Sequence, residues 1–435
     1  MKFKVIGAGL AGVESAWQIA QAGYEVELYE MKGIKRSPAH KSDLFAELVC
    51  SNSLKASRLE SAAGLLKEEM AILGSLTVPV ARSCSVPAGG ALAVDRNIFS
   101  QLITDKIKSH PNIRVINQVV DTIDFEDKDT VTIIASGPLT DDKLAQSIQD
   151  VVGDYLSFYD AAAPIVTADS VDMTKAFGAS RYNRGGESDY INCPFNKQEY
   201  EDFIRELIHA ESAIVHDFDV YEGCMPIEKL AKRGLDAARF GPMKPVGLID
   251  PNTNHRPWAC VQLRRENDKG TMFNLVGFQT NLKFGEQKRV FSMIPGLENA
   301  QFVRYGVMHR NSFLNAPQLL NSDYSLRKYP NVFFAGQITG VEGYMESAGS
   351  GIIAGINAVR FAQGKEPFVP ENITMLGALC DYISDESVKN FQPMGANFGV
   401  LPPIEPKIRD KNERYKALSD RAISSLKTSV ERYLG

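Results

Sequence analysis

Gly7-Ala8-Gly9-Leu10-Ala11-Gly12 follows the apolar run Lys2 to Ile6 and opens a stretch that reads as helical from 13 to 22. Residues 24–30 (YEVELYE) then alternate as a second strand. No other part of the sequence restricts the fold so tightly. A strand that enters a helix through G-x-G-x-x-G must turn sharply, and its glycines let a phosphate-bearing ligand come close to the backbone. There the first N–H groups and the dipole of the helix favour negative charge. Glu30 closes the second strand about 20 residues beyond the loop, where a carboxylate accepts hydrogen bonds from an adenosine ribose. A carboxylate at that point suits an unphosphorylated ribose, hence FAD or NAD. A loop that merely turns is the plainer alternative, and strand, loop, helix and acid in that order argue against it.

The same regularity continues and then stops. A helical pattern covers 60–74, and another runs from Asp95, a suitable N-cap, to about Ser109. Thr130 to Ala135 is an apolar strand ended by Ser136-Gly137-Pro138. From 150 to 330 short mixed segments rich in Asn, Gly and Pro take over. At Asn331 the earlier pattern returns as a strand (331–335), a glycine-rich loop from Gly336 to Gly343 and a helix from Ser350 to about Gln363. The expected architecture is α/β: a discontinuous Rossmann-like FAD-binding domain made of 1–150 and 331–435, with an α+β substrate domain, 151–330, inserted into it. The late return at Phe334-Ala335-Gly336-Gln337 favours FAD over NAD by analogy with flavoproteins that bring a late strand back to the cofactor.

Composition sets outer limits. The 435 residues, 44% of them hydrophobic, can fill two or three domain cores. The N-terminus has no signal-peptide pattern and no apolar run approaches the roughly 20 residues of a membrane span, so a cytoplasmic protein without a membrane partner is expected. The six cysteines show no metal-ligand spacing, which points to free thiols and no metal. A net charge of -5 argues against a protein that coats nucleic acid indiscriminately, and leaves room for a local basic face.

Longer stretches carry a resemblance. The chain is similar to the TrmFO family, folate- and FAD-dependent tRNA uracil-5-methyltransferases related to the GidA/MnmG flavoproteins. The likeness runs from Val5 to about Pro403, through PAHKSDLFAELVCSNSLK (38–55), VPAGGALAVDR (86–96), SRYN (180–183), NCPFNKQEY (192–200), EGCMPIE (222–228), GPMKPVGL (241–248), NLVGFQT (274–280), MHRNSFLN (308–315) and FAGQITGVEGYMESA (334–348). Departures are small: Tyr221 stands where Phe is expected, Ser136 where Thr is usual, and FGVLP (398–402) replaces FGLLP. The resemblance implies methylation of uridine C5 in RNA, taking the carbon from 5,10-methylenetetrahydrofolate and electrons from FAD re-reduced by NADPH or NADH. The RNA it implies is tRNA, at the T-loop uridine, with ribosomal RNA as the alternative substrate. A generic FAD oxidoreductase, a different GidA-like modification and a non-catalytic RNA-binding module are the rival readings.

Uracil C5 attacks a one-carbon donor only after a thiolate has added to C6, so a cysteine is required. Cys224 lies in the Gly/Pro-bent loop Glu222-Gly223-Cys224-Met225-Pro226, with Glu222 and Glu228 nearby. On composition alone it reads as a buried core thiol; the resemblance makes it the first catalytic candidate. Cys50 also matches the family and is the second, as a guard of the flavin, an aid to proton transfer or a packing group. Cys84, Cys193, Cys260 and Cys380 read as packing. The cofactor-binding candidates are Gly7, Ala8, Gly9, Leu10, Ala11, Gly12, Glu30, Gly336 and Tyr344. Tyr344, expected on the glycine-rich loop, is a flat partner for the pterin beside the flavin or else a packed tyrosine. His309-Arg310-Asn311 offers polar groups for folate or flavin. Lys229, Lys232, Arg233, Arg239 and Lys244 cluster after Cys224 with Asp236 as the one acid among them, a phosphate-binding surface in prospect. The tail 405–435, with eight Lys/Arg against five Asp/Glu, reads as an amphipathic helix whose charges form a solvated face. A uridine in a folded loop has to leave its stack to reach Cys224.

Overall fold

A six-stranded sheet carries the N-terminal motif. Its order is Ser325–Leu326, Tyr329–Phe334, Thr130–Ile134, Lys2–Ile6, Val26–Glu30 and Ile113–Asn117, all parallel except the two-residue edge strand. The central strands are near-continuous in apolar residues because helices cover both faces, as parallel sheets require. The register sets Ile6 beside Tyr29 and Ile134, and Ile134 beside Phe334. The loops after these four strands therefore open along one edge, outside the carboxyl ends of the strands, where open α/β sheets bind ligands. The computed structural model describes residues 1–37, 39–153, 156–161, 163–183, 189–213, 225–267, 269–306, 308–388 and 391–434, without the side chains of 156–161, 183 and 308–310.

Helices Leu10–Gln21 and Tyr344–Ala362 cross on this sheet at backbone distance. A Cβ on Gly351 would lie 2.2 Å from the Ala11 carbonyl oxygen, and one on Gly355 2.8 Å from that of Ser15. Ser15 Oγ bridges the crossing, donating within reach of the carbonyls of Ala11 (3.0 Å) and Gly351 (2.9 Å). Both helices begin earlier than the sequence suggests, at Leu10 rather than 13 and at Tyr344 rather than Ser350. Gly349, Ser350 and Gly351 look like helix breakers in isolation, yet Gly351 is small because the helix at Ala11 presses on it, and Gly349 because the Leu376 side chain does. Tyr344 is accordingly the first residue of a helix capped by Gly343 (φ +125°), not a loop residue. Elsewhere the expected helices stand close to their bounds: Ala62–Ile72, and Arg96–Ser109, where Asp95 accepts from the N–H groups of Asn97 and Ile98. The tail forms helix Lys411–Tyr433, which seats Leu418, Ala422 and Leu426 on the core and leaves its charged face outward.

The second sheet is antiparallel throughout: Phe177–Gly178, Tyr190–Phe195, Ala259–Arg265, Met272–Leu275, Ile165–Thr167 and Phe302–Arg304. Strand alternation divides its residues. Cys193, Val261 and Leu263 join a separate core with Tyr200, Phe203, Ile204 and Leu207 of helix Lys197–His209. The opposite face pairs Tyr190 with Arg264 and Asn192 with Gln262, polar residues that meet the first body. An antiparallel ribbon of Leu156–Ala161 with Met308–Phe313 runs between the two bodies. A three-stranded sheet of Ser53–Ala56, Ala91–Val94 and Ser85–Val86 lies on the side of the second sheet's polar face. Among the described residues no helix is long and apolar enough to cross a membrane.

Candidate functional site

The strand ends of the first sheet frame an open cleft, lined by Gly7, Gly9, Leu10, Ala11, Glu30, Ser136, Gly336 and Tyr344 among others. Its reach from Glu30 to Tyr344 suits an extended ligand. Three glycines of the motif serve it differently. Gly7 has φ +99°, and a Cβ there would stand 2.5 Å from the Ala135 carbonyl oxygen; one on Gly12 would stand 1.7 Å from that of Gly7. These two close the turn on itself. A Cβ on Gly9 would meet nothing within 4 Å, so its missing side chain leaves room for the ligand. Gly9 caps helix Leu10–Gln21 with no side-chain hydrogen bond and no acidic residue in the first turn, which leaves the positive end of the helix to the cleft. Ala8 is fully buried behind the loop, and its N–H donates to Glu30 Oε2 at 2.7 Å. The Lys32 N–H donates to Glu30 Oε1 at 2.9 Å. Glu30 is thus fixed in orientation, and each carboxylate oxygen keeps a lone pair for a further donor. Gly336 (φ +88°) closes the opposite wall, its N–H donating to Ser350 Oγ at 2.7 Å.

The rim above Tyr344 is held by side chains. The Tyr344 hydroxyl accepts the N–H groups of Cys50 (2.7 Å) and Ser51 (3.2 Å). Burial, with Cys50 next, pushes the Tyr344 phenol well above its ordinary range, so it stays neutral. Arg96 donates to the Leu48 carbonyl at 2.7 Å and holds Glu266 through Nε and Nη2 at 2.7 and 3.2 Å. Arg264, buried in the second sheet, donates to Asn52 Oδ1 at 3.0 Å and Ser51 Oγ at 2.8 Å. Arg304 donates to the Val49 carbonyl. Three arginines, two of them from the second body, therefore grip residues 48–52. Burial pulls Arg264 and Arg304 below the ordinary guanidinium range, and Glu266 opposes that pull at Arg264. Cys50, half-buried and in no disulfide, sits at the centre of this grip.

Of the residues singled out in the sequence, the motif glycines, Leu10, Ala11, Glu30, Gly336 and Tyr344 converge on the cleft or its immediate support, and Cys50 joins them through the Tyr344 hydroxyl. Cys224 lies outside the described residues, as do the side chains of His309 and Arg310; Asn311 is buried. Glu228 is buried in the second body, accepting from Thr280 Oγ1 (2.9 Å) and the Asn281 N–H (2.8 Å). In the basic cluster, Lys229, Lys232, Arg233 and Lys244 are exposed, whereas Arg239 donates to the Trp258 carbonyl at 2.8 Å and lies 3.9 Å over its ring. Cys84, Cys193, Cys260 and Cys380 are buried, and burial pushes their thiols up, to about 11 for Cys84 and about 12 for Cys260. They remain protonated and pack. Among the described residues no group of three His, Cys, Asp or Glu side chains is arranged to hold a metal ion. The residues missed by sequence reasoning are Arg96, Arg264, Glu266 and Arg304. The signal available for Arg264 was the alternation Gln262, Arg264 within an otherwise apolar strand, which marks a polar face needing a partner.

A parallel sheet with G-x-G-x-x-G at its first turn, a carboxylate at the end of the next strand and a late strand returning to the cleft define a Rossmann-type, FAD-binding flavoprotein fold. The structure of Aquifex aeolicus GidA in its form II crystal shares it, with a TM-score of 0.71 over 99% of this chain and 73% of that one at 17% identity. The form I crystal of the same protein gives 0.71 over 99% and 78% at 16% identity. The family model described as glucose inhibited division protein A matches residues 2–366. Over their whole length, two methylenetetrahydrofolate--tRNA-(uracil-5-)-methyltransferases TrmFO are closer. That of Acetivibrio thermocellus is 59% identical over 433 residues, covering 99% of this chain and 98% of the relative. That of Halalkalibacterium halodurans is 53% identical over 432 residues, covering 98% of each. The chain belongs to the GidA family and, within it, to the TrmFO family.

Proposed function

We propose that the chain methylates uridine C5 in tRNA, taking the carbon from methylenetetrahydrofolate, with FAD held in the cleft. The observation that carries this reading is full-length identity above half with enzymes named for that reaction, joined to a cleft whose glycines leave space where a pyrophosphate would lie. In this reading Gly7, Gly9, Leu10, Ala11 and Gly12 present the helix N-terminus to the pyrophosphate, with Ala8 fixing Glu30 on the adenosine ribose. Gly336 and Tyr344 face the ring end, where Tyr344 gives the pterin a flat wall. When bound, the flavin supplies the hydride that turns the transferred one-carbon unit into a methyl group.

The remaining chemistry falls to the chain. The Cys224 thiolate adds to uracil C6 and makes C5 nucleophilic; C5 bonds to the one-carbon unit as that carbon's bonds to nitrogen break and tetrahydrofolate leaves, and once C5 has lost its proton to a base, the thiolate is expelled and the C5–C6 double bond returns. Cys50, on the arginine-held loop, acts at the flavin side as a guard or proton carrier. A nicotinamide coenzyme, NADPH or NADH, restores the reduced flavin. The RNA meets the basic surface around Lys229, Lys232, Arg233 and Lys244. The reaction takes place in the cytoplasm, where tRNA and folate are found.

The test is to incubate the purified flavoprotein with methylenetetrahydrofolate, NADPH and either unmodified tRNA or a large-subunit rRNA fragment, and to quantify 5-methyluridine by nucleoside mass spectrometry. Product on tRNA, abolished in Cys224→Ala, is expected. Product on rRNA alone would overturn the choice of RNA, and undiminished product with Cys224→Ala would overturn the nucleophile.

A further inference from the structure

A second, open recess lies where the three-stranded sheet meets the polar face of the second sheet. Its described walls are Arg58, Arg181, Tyr182, Tyr190, Gln262 and the turn Gly89-Gly90, whose Gly89 N–H donates to the Asp189 carboxylate at 2.7 Å. The mechanism uses none of these residues. Tyr182 is 59% exposed despite its size and holds φ +59°, a backbone conformation that a bulky residue adopts only under constraint. The constraint is visible: its N–H donates to the Gly247 carbonyl at 3.2 Å, and its ring lies against Gly247, where an added Cβ would come within 3.1 Å of ring carbons. One side of the ring is thus seated on backbone. Arg181 beside it has a buried Nε that meets no hydrogen-bond acceptor among the described residues, a deficit that an incoming anion would fill. Arg58 is exposed on the opposite wall, and a Cβ on Gly90 would meet nothing within 4 Å.

The position of the recess matters as much as its chemistry. Gln262, on its wall, is two residues from Arg264 on one strand and shares its face. That is about 7 Å, roughly one nucleotide step, from the Arg264 grip on Ser51 and Asn52. Strand Ser53–Ala56 continues from the Cys50 loop to Arg58. In the proposed function the target base must come to the ring end of the cleft, beside the Cys50 loop, and a polynucleotide with one base there would pass this recess with its next few residues. Guanidinium groups for a phosphate, a posed aromatic ring for a base and an amide for an edge are the elements of a single-stranded nucleotide site.

We propose that the recess holds a nucleotide flanking the target uridine, its base stacked on Tyr182 and its phosphate on Arg181 and Arg58. This deepens the proposed function and rests on its RNA substrate. The test titrates a fluorescent, unmodified T-arm hairpin RNA with the full-length, FAD-loaded chain, without folate, across a range of salt. Tyr182→Ala is expected to weaken binding about tenfold or more, and Tyr182→Trp to bind within about twofold of the wild type. Arg58→Gln is expected to weaken binding and lower the slope of log affinity against log salt by about 0.7, one phosphate contact to a single strand. Flavin content and thermal midpoint should stay unchanged in all three. Unaltered affinity in both Tyr182→Ala and Arg58→Gln overturns the proposal. So does a raised KM for methylenetetrahydrofolate with RNA affinity intact, which would give the recess to the anionic tail of the folate. A wild-type chain that binds the RNA without methylating it sinks the methylation reading alone, because the variants still decide this one; a wild-type chain that binds no RNA sinks both.

Discussion

The floor of the cleft and its rim are built on opposite principles. At the floor, Gly7, Gly9 and Gly12 act through side chains they lack, and the contacts that forbid a Cβ at 7 and 12 are backbone atoms within the same βαβ unit or on the adjacent strand. At the rim, the loop around Cys50 is held by long side chains reaching from elsewhere: Arg96, Arg264, Arg304 and Tyr344 are separated from it by some 50 to 300 residues of chain. The floor is a local device that shapes a backbone. The rim is a tertiary device that couples the second body to the Cys50 loop, so a change in the second body reaches Cys50 without touching the glycine turn.

The largest effect expected from this contrast separates two glycines of one motif. Gly12→Ala places a methyl group 1.7 Å from the Gly7 carbonyl oxygen, and neither helix nor strand can yield that far. Loss of soluble protein, or of bound flavin together with a collapsed thermal midpoint, is expected. Gly9→Ala meets no protein atom within 4 Å and has φ -73°, which alanine adopts freely. It should fold with a nearly unchanged midpoint and lose flavin absorbance. If both variants fail alike in thermal unfolding, the division of labour among the glycines is wrong.

This contrast also explains what was legible in the sequence. The βαβ unit, Glu30 and the late return of the chain at Gly336 could be read because each is set by neighbours close in sequence or by a glycine whose conformation has few alternatives. The start of the helix at Tyr344 was misjudged because glycines such as Gly351 signal a breaker locally, and the reason for Gly351, the helix at Ala11, comes more than 300 residues earlier. The arginine grip was illegible for the same cause. Arg264 lies near the end of strand Ala259–Arg265, and nothing near it in sequence announces that its partners are Ser51 and Asn52. Glu228, noted only for its place in the sequence near Cys224, gave no sign that helix Ile227–Lys232 turns its carboxylate into the second core.

A middle-sized effect tests whether the rim is a coupling. Arg264→Met keeps much of the volume and removes both donors to the loop, leaving Asn52 and Ser51 without those partners. Because the loop carries Cys50 and borders the ring end of the cleft, a displacement of about 1 Å is expected to lower 5-methyluridine formation about 100-fold. Flavin content, set at the floor, should remain near the wild-type level. Equal losses of flavin and of activity would show that floor and rim are one unit.

The smallest effect isolates a single hydroxyl. Tyr344→Phe keeps the ring that walls the cleft and deletes the oxygen that accepts the N–H groups of Cys50 and Ser51, two donors then short of a partner at about 1–3 kcal/mol each if water stays out. Some of that cost is recovered as the loop relaxes toward solvent, so a roughly tenfold loss of turnover with an intact flavin spectrum is expected. The pH dependence supplies the sign. Burial raises the phenol well above its ordinary range, so in the wild type the hydroxyl stays protonated across neutral and moderately alkaline pH. The ratio of wild-type to Tyr344→Phe activity should therefore be flat from about pH 6 to pH 9, below the ordinary phenol value of about 10. A ratio that falls as pH rises would mean that the phenol ionises within that range and that its role is proton transfer rather than the positioning of Cys50.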